Sequence, residues 1–399
     1  MRILFLSAWF PSPADNGSKI RVHNLVRALA QHHDISLCSF VFGSARPESP
    51  GDLGSLCPDT RVVACNPFAV NKASPLRTFV SPRPMATRAI AAMSRQVNEV
   101  LLAGTFDAIV SSTGVMADYA LQAPAGPARI LEEHNSMTRW MHERYAQQKL
   151  LATRLRCWVS WQKSRRYEAH LFRQFHVVTM VSEQDRAACL ADLPGYRGPV
   201  SVVPNGVDCQ HNRPGLGLPR PHSLVFNGSL TYDANYDAMR YFLSDIFPLV
   251  QAQVPGVSLT ITGPTEGVDL RSLQLASVRL TGYLDDVRPE VAGAWVCVVP
   301  IRMGGGTRLK ILEAMALGTP VVATSKAAEG LDVSPESHLL IADSPAEFAG
   351  HVVRLLGDPA ERARLAASAR QLVEQRYEWR RIGRDFAAIV EAAIGDLQR

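Results

Sequence analysis

One stretch, Val296–Thr324, constrains the fold more than any other part of the chain. An apolar run ends at Pro300, glycines occupy positions 304–306, a helical pattern starts at Thr307, and a second apolar run begins at Val321. This order predicts a βαβ unit whose glycine loop lies at the carboxyl end of a strand. In an open parallel sheet, ligands bind at that end.

The glycine triplet and the helix start that follows it predict an anion-binding site. Glycines leave the backbone N–H groups of a loop unshielded, and the start of a helix adds a partial positive charge. We therefore expect the backbone of Gly305, Gly306 and Thr307 to face a phosphate group. Arg308 lies in the predicted first turn of the helix, where its charge would assist.

Glu313 stands between apolar neighbours on the same predicted helix. A carboxylate in such surroundings needs hydrogen-bond donors, because burial without partners is costly, and sugar hydroxyls are suitable donors. Thr307 and Glu313 are about 9 Å apart along a helix, which is similar to the separation of a diphosphate from its ribose. The alternative is that Glu313 pairs with an arginine elsewhere in the chain.

Several segments resemble those of a known family. Residues 313–323, EAMALGTPVVA, closely resemble the donor-site signature of the family 4 glycosyltransferases, and so do the segments at 205–208, 226–228 and 282–284, in the expected order. These enzymes have the GT-B fold. The resemblance therefore implies an α/β protein with two Rossmann-like, doubly wound parallel-sheet domains that face a central cleft. Alternating strand and helix patterns in both halves of the chain independently indicate two such sheets.

The resemblance also implies an activity, which is transfer of a sugar from a UDP- or GDP-linked sugar to a hydroxyl group with retention of configuration. It implies no metal and no further cofactor. In the family the helix glutamate holds the nucleotide ribose, and this is the role implied for Glu313. The other implied donor-binding residues are Gly17, Gly228, Ser229, Leu284, Gly305, Gly306, Thr307, Arg308 and Lys310.

Two positions depart from the family pattern. Gly305 replaces the first glutamate of the Glu-x7-Glu motif, and residues 228–235 lack the cations that follow the first strand of the second domain. We therefore expect the glycine-rich loop to bind the diphosphate in their place. Arg308 would be the counter-charge, assisted by Arg302 or Lys310. Charge builds on the leaving oxygen as the sugar departs, so Arg308 is also a catalytic candidate.

The length of 399 residues predicts two domains. Residues 1–205 form the predicted acceptor-binding domain, 206–222 the Pro- and Gly-rich linker, and 223–378 the donor-binding domain. The resemblance implies that a final helix within 379–399 crosses back to the first domain. Two irregular stretches, 42–58 and 66–84, are expected to shape the acceptor pocket.

Polar residues follow the predicted strand at 129–131, at the end of a strand where ligands bind. Among them, His134 is the candidate for sugar contact or acceptor orientation, and it is assigned to catalysis on that basis. The alternative is a structural histidine that holds a loop. Further candidates on the acceptor side are Asn16, Arg21 and Asn135.

Residues 137–173 have a helical pattern, broken at most once, that is rich in Arg and Lys and contains Trp140, Trp158 and Trp161. Such a helix suits peripheral contact with anionic lipid. The alternative is a solvated cationic face with the tryptophans in the core.

Composition limits the partners and the location. The net charge of +5 is too small to indicate nucleic-acid binding. The 7 cysteines are scattered and form no Cys-x-x-Cys pair, which suits reduced thiols. The apolar run at the start is too short for a signal sequence or a membrane span. We expect a cytoplasmic protein, with peripheral contact on the inner face of the membrane as an option.

The acceptor class stays open between saccharides, lipid-linked acceptors and small molecules, within bacterial-type polysaccharide, glycolipid or glycoconjugate synthesis. Two rival functions also remain. One is a nucleotide-sugar epimerase on the same fold, and the other is a non-catalytic nucleotide-binding partner subunit, because fold resemblance alone does not establish activity.

Overall fold

The computed structural model describes residues 1–43, 45, 51, 53–69, 89–304 and 306–399. These residues divide into two units, Met1–Pro204 with Arg380–Arg399, and Asn205–Trp379. Each unit is built around one parallel sheet whose strands are connected by helices. The prediction of two doubly wound parallel-sheet units is confirmed.

The described part of the first unit contains a seven-stranded sheet. Its strands are β1 (Arg2–Ser7), β2 (Asp34–Val41), β3 (Asp59–Ala64), β4 (Ala108–Ser112), β5 (Ala128–Glu132), β6 (Val177–Met180) and β7 (Val200–Val202). They are parallel, in the order β3-β2-β1-β4-β5-β6-β7. The order reverses between β1 and β4, and an open parallel sheet binds its ligands beside such a reversal.

Helices connect these strands in the first unit. Within the described residues they are α1 (Gly17–Leu29), α2 (Leu53–Leu56), α3 (Ala91–Ala103), α4 (Gly114–Ala120), α5 (Met137–Gln147), α6 (Leu151–Phe172) and α7 (Glu183–Asp192). The helical pattern predicted over 137–173 is thus broken once, between α5 and α6.

The second unit contains a six-stranded sheet with the same architecture. Its strands are β8 (Ser223–Asn227), β9 (Ser258–Thr262), β10 (Val278–Leu280), β11 (Val296–Val299), β12 (Val321–Ala323) and β13 (Leu340–Ile341). They are parallel, in the order β10-β9-β8-β11-β12-β13, and the order reverses between β8 and β11.

The helices of the second unit are α8 (Asp233–Tyr241), α9 (Phe247–Gln253), α10 (Arg288–Ala292), α11 (Leu309–Ala316), α12 (Ser325–Ala328), α13 (Pro345–Gly357) and α14 (Pro359–Arg376). A π-helical turn at Phe242–Ile246 separates α8 from α9. Pro248 has no N–H to donate, so a continuous α-helical ladder is interrupted there.

The βαβ unit predicted at 296–324 is β11, α11 and β12. β11 is buried along its whole length, as parallel strands covered on both faces are. Ile311, Leu312 and Met315 bury the apolar side of α11. Gly318 follows the helix with φ +77°, a left-handed conformation that favours glycine and ends a helix.

The residues predicted as a linker, 206–222, pack within the second unit. The Val207 amide donates to the Tyr377 carbonyl at 2.7 Å, and the Arg220 amide donates to the Gly293 carbonyl at 2.8 Å. Cys209 is buried in the core of this unit. A segment rich in Pro and Gly can look like a linker and still pack, because its backbone finds hydrogen-bond partners in the unit.

The last helix, α15 (Trp379–Gln398), contributes residues 380–399 to the first unit. It buries Phe386, Val390 and Ile394. A Cβ added at Gly383 would lie 2.4 Å from Ala28 Cβ, so glycine allows α15 to approach α1 closely.

Most of the two stretches expected to shape an acceptor pocket, 42–58 and 66–84, lies outside the described residues. No described helix has both the length and the apolar character that crossing a bilayer requires.

Candidate functional site

Glycines follow β8, β9 and β10 of the second unit, and because they have no side chains the ends of these strands lie close together. The Gly263 amide donates to the Gly282 carbonyl at 2.9 Å, beyond β9 and β10. Gly263 has φ +111°, and a Cβ there would lie 2.6 Å from the carbonyl carbon of Gly228, which follows β8. Any larger residue would force these loops apart, so the strand ends present a wall of backbone.

Lys310 reaches from α11 to this wall. Its Nζ lies 2.9 Å from Asn235 Oδ1 and 3.9 Å from the centroid of the Phe226 ring. A Cβ added at Gly228 would lie only 2.4 Å from Nζ, so glycine leaves the space that the amine fills. Residues 228–235 supply no cation of their own. Lys310, which belongs to α11, therefore places an amine beside residues 228–235, which have no cation.

Burial controls the charge of Lys310. The pKa of Lys310 is lowered from 10.5 to about 7, chiefly by burial; Cys297 and Glu313 act in the opposite direction, and nearby Arg308 adds to the lowering. An ammonium ion is costly in such surroundings unless an anion compensates it. An anionic ligand beside Nζ would restore the charge.

Glu313 lies one helical turn after Lys310 on α11. Its Oε2 accepts a hydrogen bond from Asn227 Nδ2 at 3.0 Å. Burial raises the pKa of Glu313, whereas Lys310 and the Asn227 hydrogen bond lower it. The alternative of an arginine partner is not observed in the described part of the chain, where no salt bridge to Glu313 is found.

Two buried oxygens near this helix make no hydrogen bond within the described part of the chain, Asn227 Oδ1 and Thr307 Oγ1. Buried polar atoms normally have a partner, and those at a ligand site often find it in the ligand. They extend the candidate site from the end of β8 to the start of α11.

Arg308 and Arg302 are placed differently from the expectation. α11 begins at Leu309, so Arg308 precedes the helix, and its Nη2 donates to the carbonyls of Gly304 at 2.7 Å and Met303 at 3.2 Å. Arg308 is buried and holds the glycine loop; contact with a phosphate stays a prediction. Arg302 pairs with Asp237 at 2.8 Å and stacks over Tyr241, so Lys310 is the better placed helper.

The remaining donor-site candidates of the second unit are loop residues. Gly306 has φ +82°, a conformation that favours glycine, and Gly305 lies outside the described residues. Ser229 Oγ lies 2.6 Å from Thr231 Oγ1, and Leu284 is half-buried in the loop after β10. Their contact with a nucleotide stays a prediction.

In the first unit, both ring nitrogens of His134 have partners, and its ring stacks on an aromatic neighbour. Its Nε2 lies 3.1 Å from Ser112 Oγ and 3.2 Å from Glu132 Oε2, and its Nδ1 lies 3.3 Å from Ser18 Oγ. Its ring stacks on Trp9 with centroids 5.1 Å apart. Ser18 follows Gly17, the first residue of α1, so the start of α1 and the end of β5 meet at His134.

Arg21, a candidate on the acceptor side, is buried between β5 and β7, and its contact with an acceptor stays a prediction. It is 1% exposed, and its Nε donates to Glu132 Oε1 at 2.6 Å. Its other nitrogens donate to the carbonyls of Val203 and Pro204 at 2.8 and 3.0 Å. These bonds fix the guanidinium between the end of β5 and the residues that follow β7.

Asn16 caps α1, because its side chain accepts the Lys19 amide at 3.2 Å, and Asn135 is exposed beside His134. The sequence did not single out Trp9, Thr113 or Glu168, which also gather here. The position of Trp9 just after β1 is a signal that could have revealed it. No such signal marks Glu168, which lies within a long helix.

The described residues contain no group of three or more His, Cys, Asp or Glu side chains arranged to hold a metal ion. Ionisable groups of the candidate sites whose pKa values are shifted include the amine of Lys310 and the carboxyls of Glu132, Glu133, Glu168 and Glu313.

Two family models match the chain. Residues 15–211 match the model described as Glycosyltransferase Family 4, and residues 221–358 match the model described as Glycosyl transferases group 1. The first match covers most of the first unit and extends to residue 211 of the second unit, and the second match falls in the second unit.

Curated relatives are similar over different shares of their length. An MMP alpha-(1->4)-mannosyltransferase of Mycolicibacterium hassiacum is 25% identical over 99% of this chain and 98% of its own. A phosphatidyl-myo-inositol mannosyltransferase of Mycobacterium leprae is 33% identical over 44% of this chain and 49% of its own. An uncharacterized protein of the cps region of Klebsiella pneumoniae is 23% identical, and the match spans only 44% of that protein.

Solved structures share the fold over nearly the whole chain. Sucrose-phosphate synthase from Thermosynechococcus elongatus superposes with a TM-score of 0.74 at 18% identity, covering 99% of this chain and all of the other. Anabaena HepE in complex with UDP superposes with a TM-score of 0.67 at 16% identity, covering 98% and 100%. At these identities the likeness concerns the fold.

Proposed function

The chain is a glycosyltransferase family 4-like protein of the GT-B fold, and from this premise we propose that it transfers a sugar from a nucleotide diphosphate sugar to a hydroxyl group with retention of configuration. The observation that carries the proposal is the cluster at the strand ends of the second unit. There, a buried amine and a buried carboxyl lie one helical turn apart, beside a wall of glycine backbone. The relatives that are named as mannosyltransferases support a hexosyltransferase.

Each group of the cluster matches one part of such a donor. The Lys310 ammonium and the backbone N–H groups of Gly306 and Thr307 would compensate the diphosphate. Glu313, already held by Asn227, would accept hydrogen bonds from ribose hydroxyls. HepE, which shares the fold, was solved with UDP. We propose a UDP- or GDP-linked donor and no metal or other cofactor.

The reaction that we propose needs no protein nucleophile. The bond between the anomeric carbon and the diphosphate oxygen breaks, and the acceptor oxygen bonds to the same face of that carbon. The acceptor proton passes to an oxygen of the leaving phosphate. Lys310 and the loop amides stabilise the negative charge as it develops, which is where fixed donors lower a barrier most.

We assign the acceptor to the first unit and the orientation of sugar or acceptor to His134. The support is the position of His134 at the end of β5, held rigidly by Trp9, Ser18 and Ser112. A histidine fixed in this way can present one ring edge in a defined direction, as an orienting group must.

Nucleotide binding is the direct test of the proposal. In a thermal-shift screen of UDP, GDP and their sugar conjugates, we expect one base to stabilise the full chain. Glu313→Gln should then weaken binding of that nucleotide by about tenfold in calorimetry, because a charge-assisted hydrogen bond to the ribose is lost.

Glu347→Gln is the matched control for this variant. Glu347 is exposed at the first turn of α13, where glutamine also suits the capping box. The control should bind like the wild type. Undiminished affinity in Glu313→Gln would exclude the ribose role, and no stabilisation by any nucleotide would exclude the proposed transferase.

Product analysis separates the two rival functions. An epimerase would convert the nucleotide sugar without an acceptor, whereas a transferase would need an acceptor or would slowly hydrolyse the donor. A non-catalytic partner subunit would bind nucleotide and leave the donor unchanged.

We also propose that the hairpin of α5 and α6 docks on anionic lipid. Its turn and the start of α6 expose Leu150, Leu151, Leu155 and Trp158, with Leu151 83% and Trp158 43% exposed. The tryptophans at 140 and 158 are therefore exposed, whereas the solvated-face alternative placed the tryptophans in the core. Residues 149, 154 and 156 are exposed cations. Apolar side chains among cations suit an anionic membrane surface.

Vesicle sedimentation tests this surface. The full chain should bind vesicles of phosphatidylcholine that contain phosphatidylglycerol, and Leu151→Glu/Leu155→Glu should bind about tenfold more weakly, because the lost apolar burial and the added charge both oppose docking. Leu102→Glu is the control, since Leu102 is equally exposed, on α3. Equal sedimentation of both variants would contradict the proposal.

A further inference from the structure

The first unit contains a cavity of about 300 Å³ beside His134. Apolar side chains form much of its lining, among them Phe68, Val115 and Leu171. Its polar lining includes Asn135, Glu133 and Glu168. The volume is at the lower end of small-molecule sites, which suits one six-membered ring with its substituents.

Two carboxyl groups of this lining are buried. Glu133 follows β5, and Glu168 belongs to α6. Glu168 accepts the Met137 and Thr138 amides at 3.0 and 3.1 Å and also the Thr138 hydroxyl. Glu133 has the Gly114 amide as its hydrogen-bond donor. In the described part of the chain, no lysine or arginine forms a salt bridge with either carboxyl.

The protonation of both groups reflects this lack of a counter-charge. Burial raises the pKa of Glu168 to about 7. Burial also raises the pKa of Glu133, and the neighbouring Glu168 and Glu132 raise it further. Two buried carboxyl groups near one another cannot both ionise without a compensating cation.

The local backbone is shaped around Glu133. Thr113, which also lines the cavity, has φ +72°, an unusual conformation for a β-branched residue. A Cβ added at the next residue, Gly114, would lie 3.1 Å from Glu133 Oε1. The turn from β4 into α4 thus leaves room for the carboxyl and places the Gly114 amide against it.

We propose that this cavity binds the acceptor of the proposed transferase through a protonated amino group, with the ring that carries it packed against the apolar lining. An ammonium ion placed between Glu133 and Glu168 would compensate both groups in their ionised form, whereas a hydroxyl group carries no charge and would gain nothing from their ionisation. The apolar lining suits the body of a ring, and Asn135 offers a hydrogen bond at the rim. The acceptor class is therefore an amine-bearing ring compound, and an amino sugar belongs to this class.

The inference rests on the proposed function only where it identifies the ligand as the acceptor, and its test does not require enzymatic activity. The probes are cyclohexylamine, which is protonated at neutral pH, and cyclohexanol, which has similar size and no charge. Ligand-observed NMR with the full chain should show the amine binding at least about tenfold more tightly than the alcohol. Equal binding, or a preference for the alcohol, would overturn the inference.

Variants place the binding in the cavity. Glu133→Gln keeps the shape and should lose the preference for the amine, whereas Glu99→Gln, at an exposed position of α3, should retain it. Val115→Phe fills the cavity without changing its charge and should weaken both probes. Retention of the preference in Glu133→Gln, or full binding in Val115→Phe, would also overturn the inference.

The nucleotide screen on the same samples separates the two proposals. Glu133→Gln should bind the stabilising nucleotide like the wild type. If the amine binds and no nucleotide does, the transferase proposal fails and the cavity assignment stands. If a nucleotide binds and the amine is not preferred, the cavity assignment alone fails.

Discussion

Replacing Lys310 with methionine is expected to lower turnover by about 100-fold or more, without loss of folding stability. The Nζ lies against Asn235, Phe226 and the Gly228 backbone, so it is the cation available where residues 228–235 supply none. Methionine has a similar length and no charge. It removes the group that compensates the diphosphate, and it also removes a buried amine whose burial opposes folding.

The pH dependence of stability tests the environment of Lys310 separately. Its pKa is lowered from 10.5 to about 7 in the folded protein. Between these values the unfolded chain binds more protons than the folded chain, so this group makes the free energy of unfolding rise with pH across that interval. In Lys310→Met this contribution should be absent. Chemical denaturation at several pH values measures it.

Donor binding should be coupled to protonation of the Lys310 amine. If a diphosphate restores the ammonium, then binding above pH 7 takes up protons, and calorimetry in buffers of different ionisation enthalpy should show this uptake in the wild type only. Lys326→Met is the control, because Lys326 pairs with Glu329 on another helix of this unit. Turnover in Lys310→Met equal to that of the control would remove Lys310 from the donor site.

The second large effect concerns Glu132. Glu132→Gln should lower the free energy of unfolding by about 3 kcal/mol, because breaking a buried ion pair leaves the other charge uncompensated. Arg21 and Glu132 are both buried, with Nε and Oε1 2.6 Å apart. The same change removes a carboxylate from His134, so turnover should also fall.

The direction of the pH effect follows from the pKa of Glu132. Burial raises this pKa, but Arg21 and His134 outweigh burial, and the net result is a pKa well below the usual range. The pair therefore stabilises the fold above the pKa of the unfolded carboxyl, and this contribution is lost as the pH falls through the lowered value. The free energy of unfolding of Glu132→Gln should therefore fall less steeply with decreasing pH than that of the wild type.

Two further variants make the Glu132 result specific. Glu183→Gln breaks an exposed pair with Arg186 and should cost less than about 1 kcal/mol. Arg21→Met/Glu132→Met removes both buried charges and should recover part of the loss. A loss in Glu132→Gln no larger than that in Glu183→Gln would show that the pair does not stabilise the fold.

Local pattern was sufficient for the elements that surround the second-unit site. The apolar run of β11, the glycines at 304–306 and the stop at Gly318 predicted strand, loop and helix, and the structure has them with α11 starting at Leu309. Such features depend on backbone conformation and on periodicity, which adjacent residues determine.

Side-chain partners were not predictable in the same way. The phosphate contact expected of Arg308 stays a prediction, and the sequence did not indicate that its guanidinium holds the loop carbonyls of Met303 and Gly304. Arg21 was expected on the acceptor side, and the sequence did not indicate that it pairs with Glu132, which is 111 residues away. A long cationic side chain can reach several partners, and which one it takes depends on the positions of distant elements.

The sequence by itself determined the two parallel sheets, their glycine loops and the acid on α11, because hydrophobic period and glycine position act over a few neighbouring residues. Only the tertiary structure decided which amine fills the space beside Gly228 and which carboxyls share the cavity beside His134. Those choices join residues from different strands and helices, and burial sets their charge only once these elements have packed together.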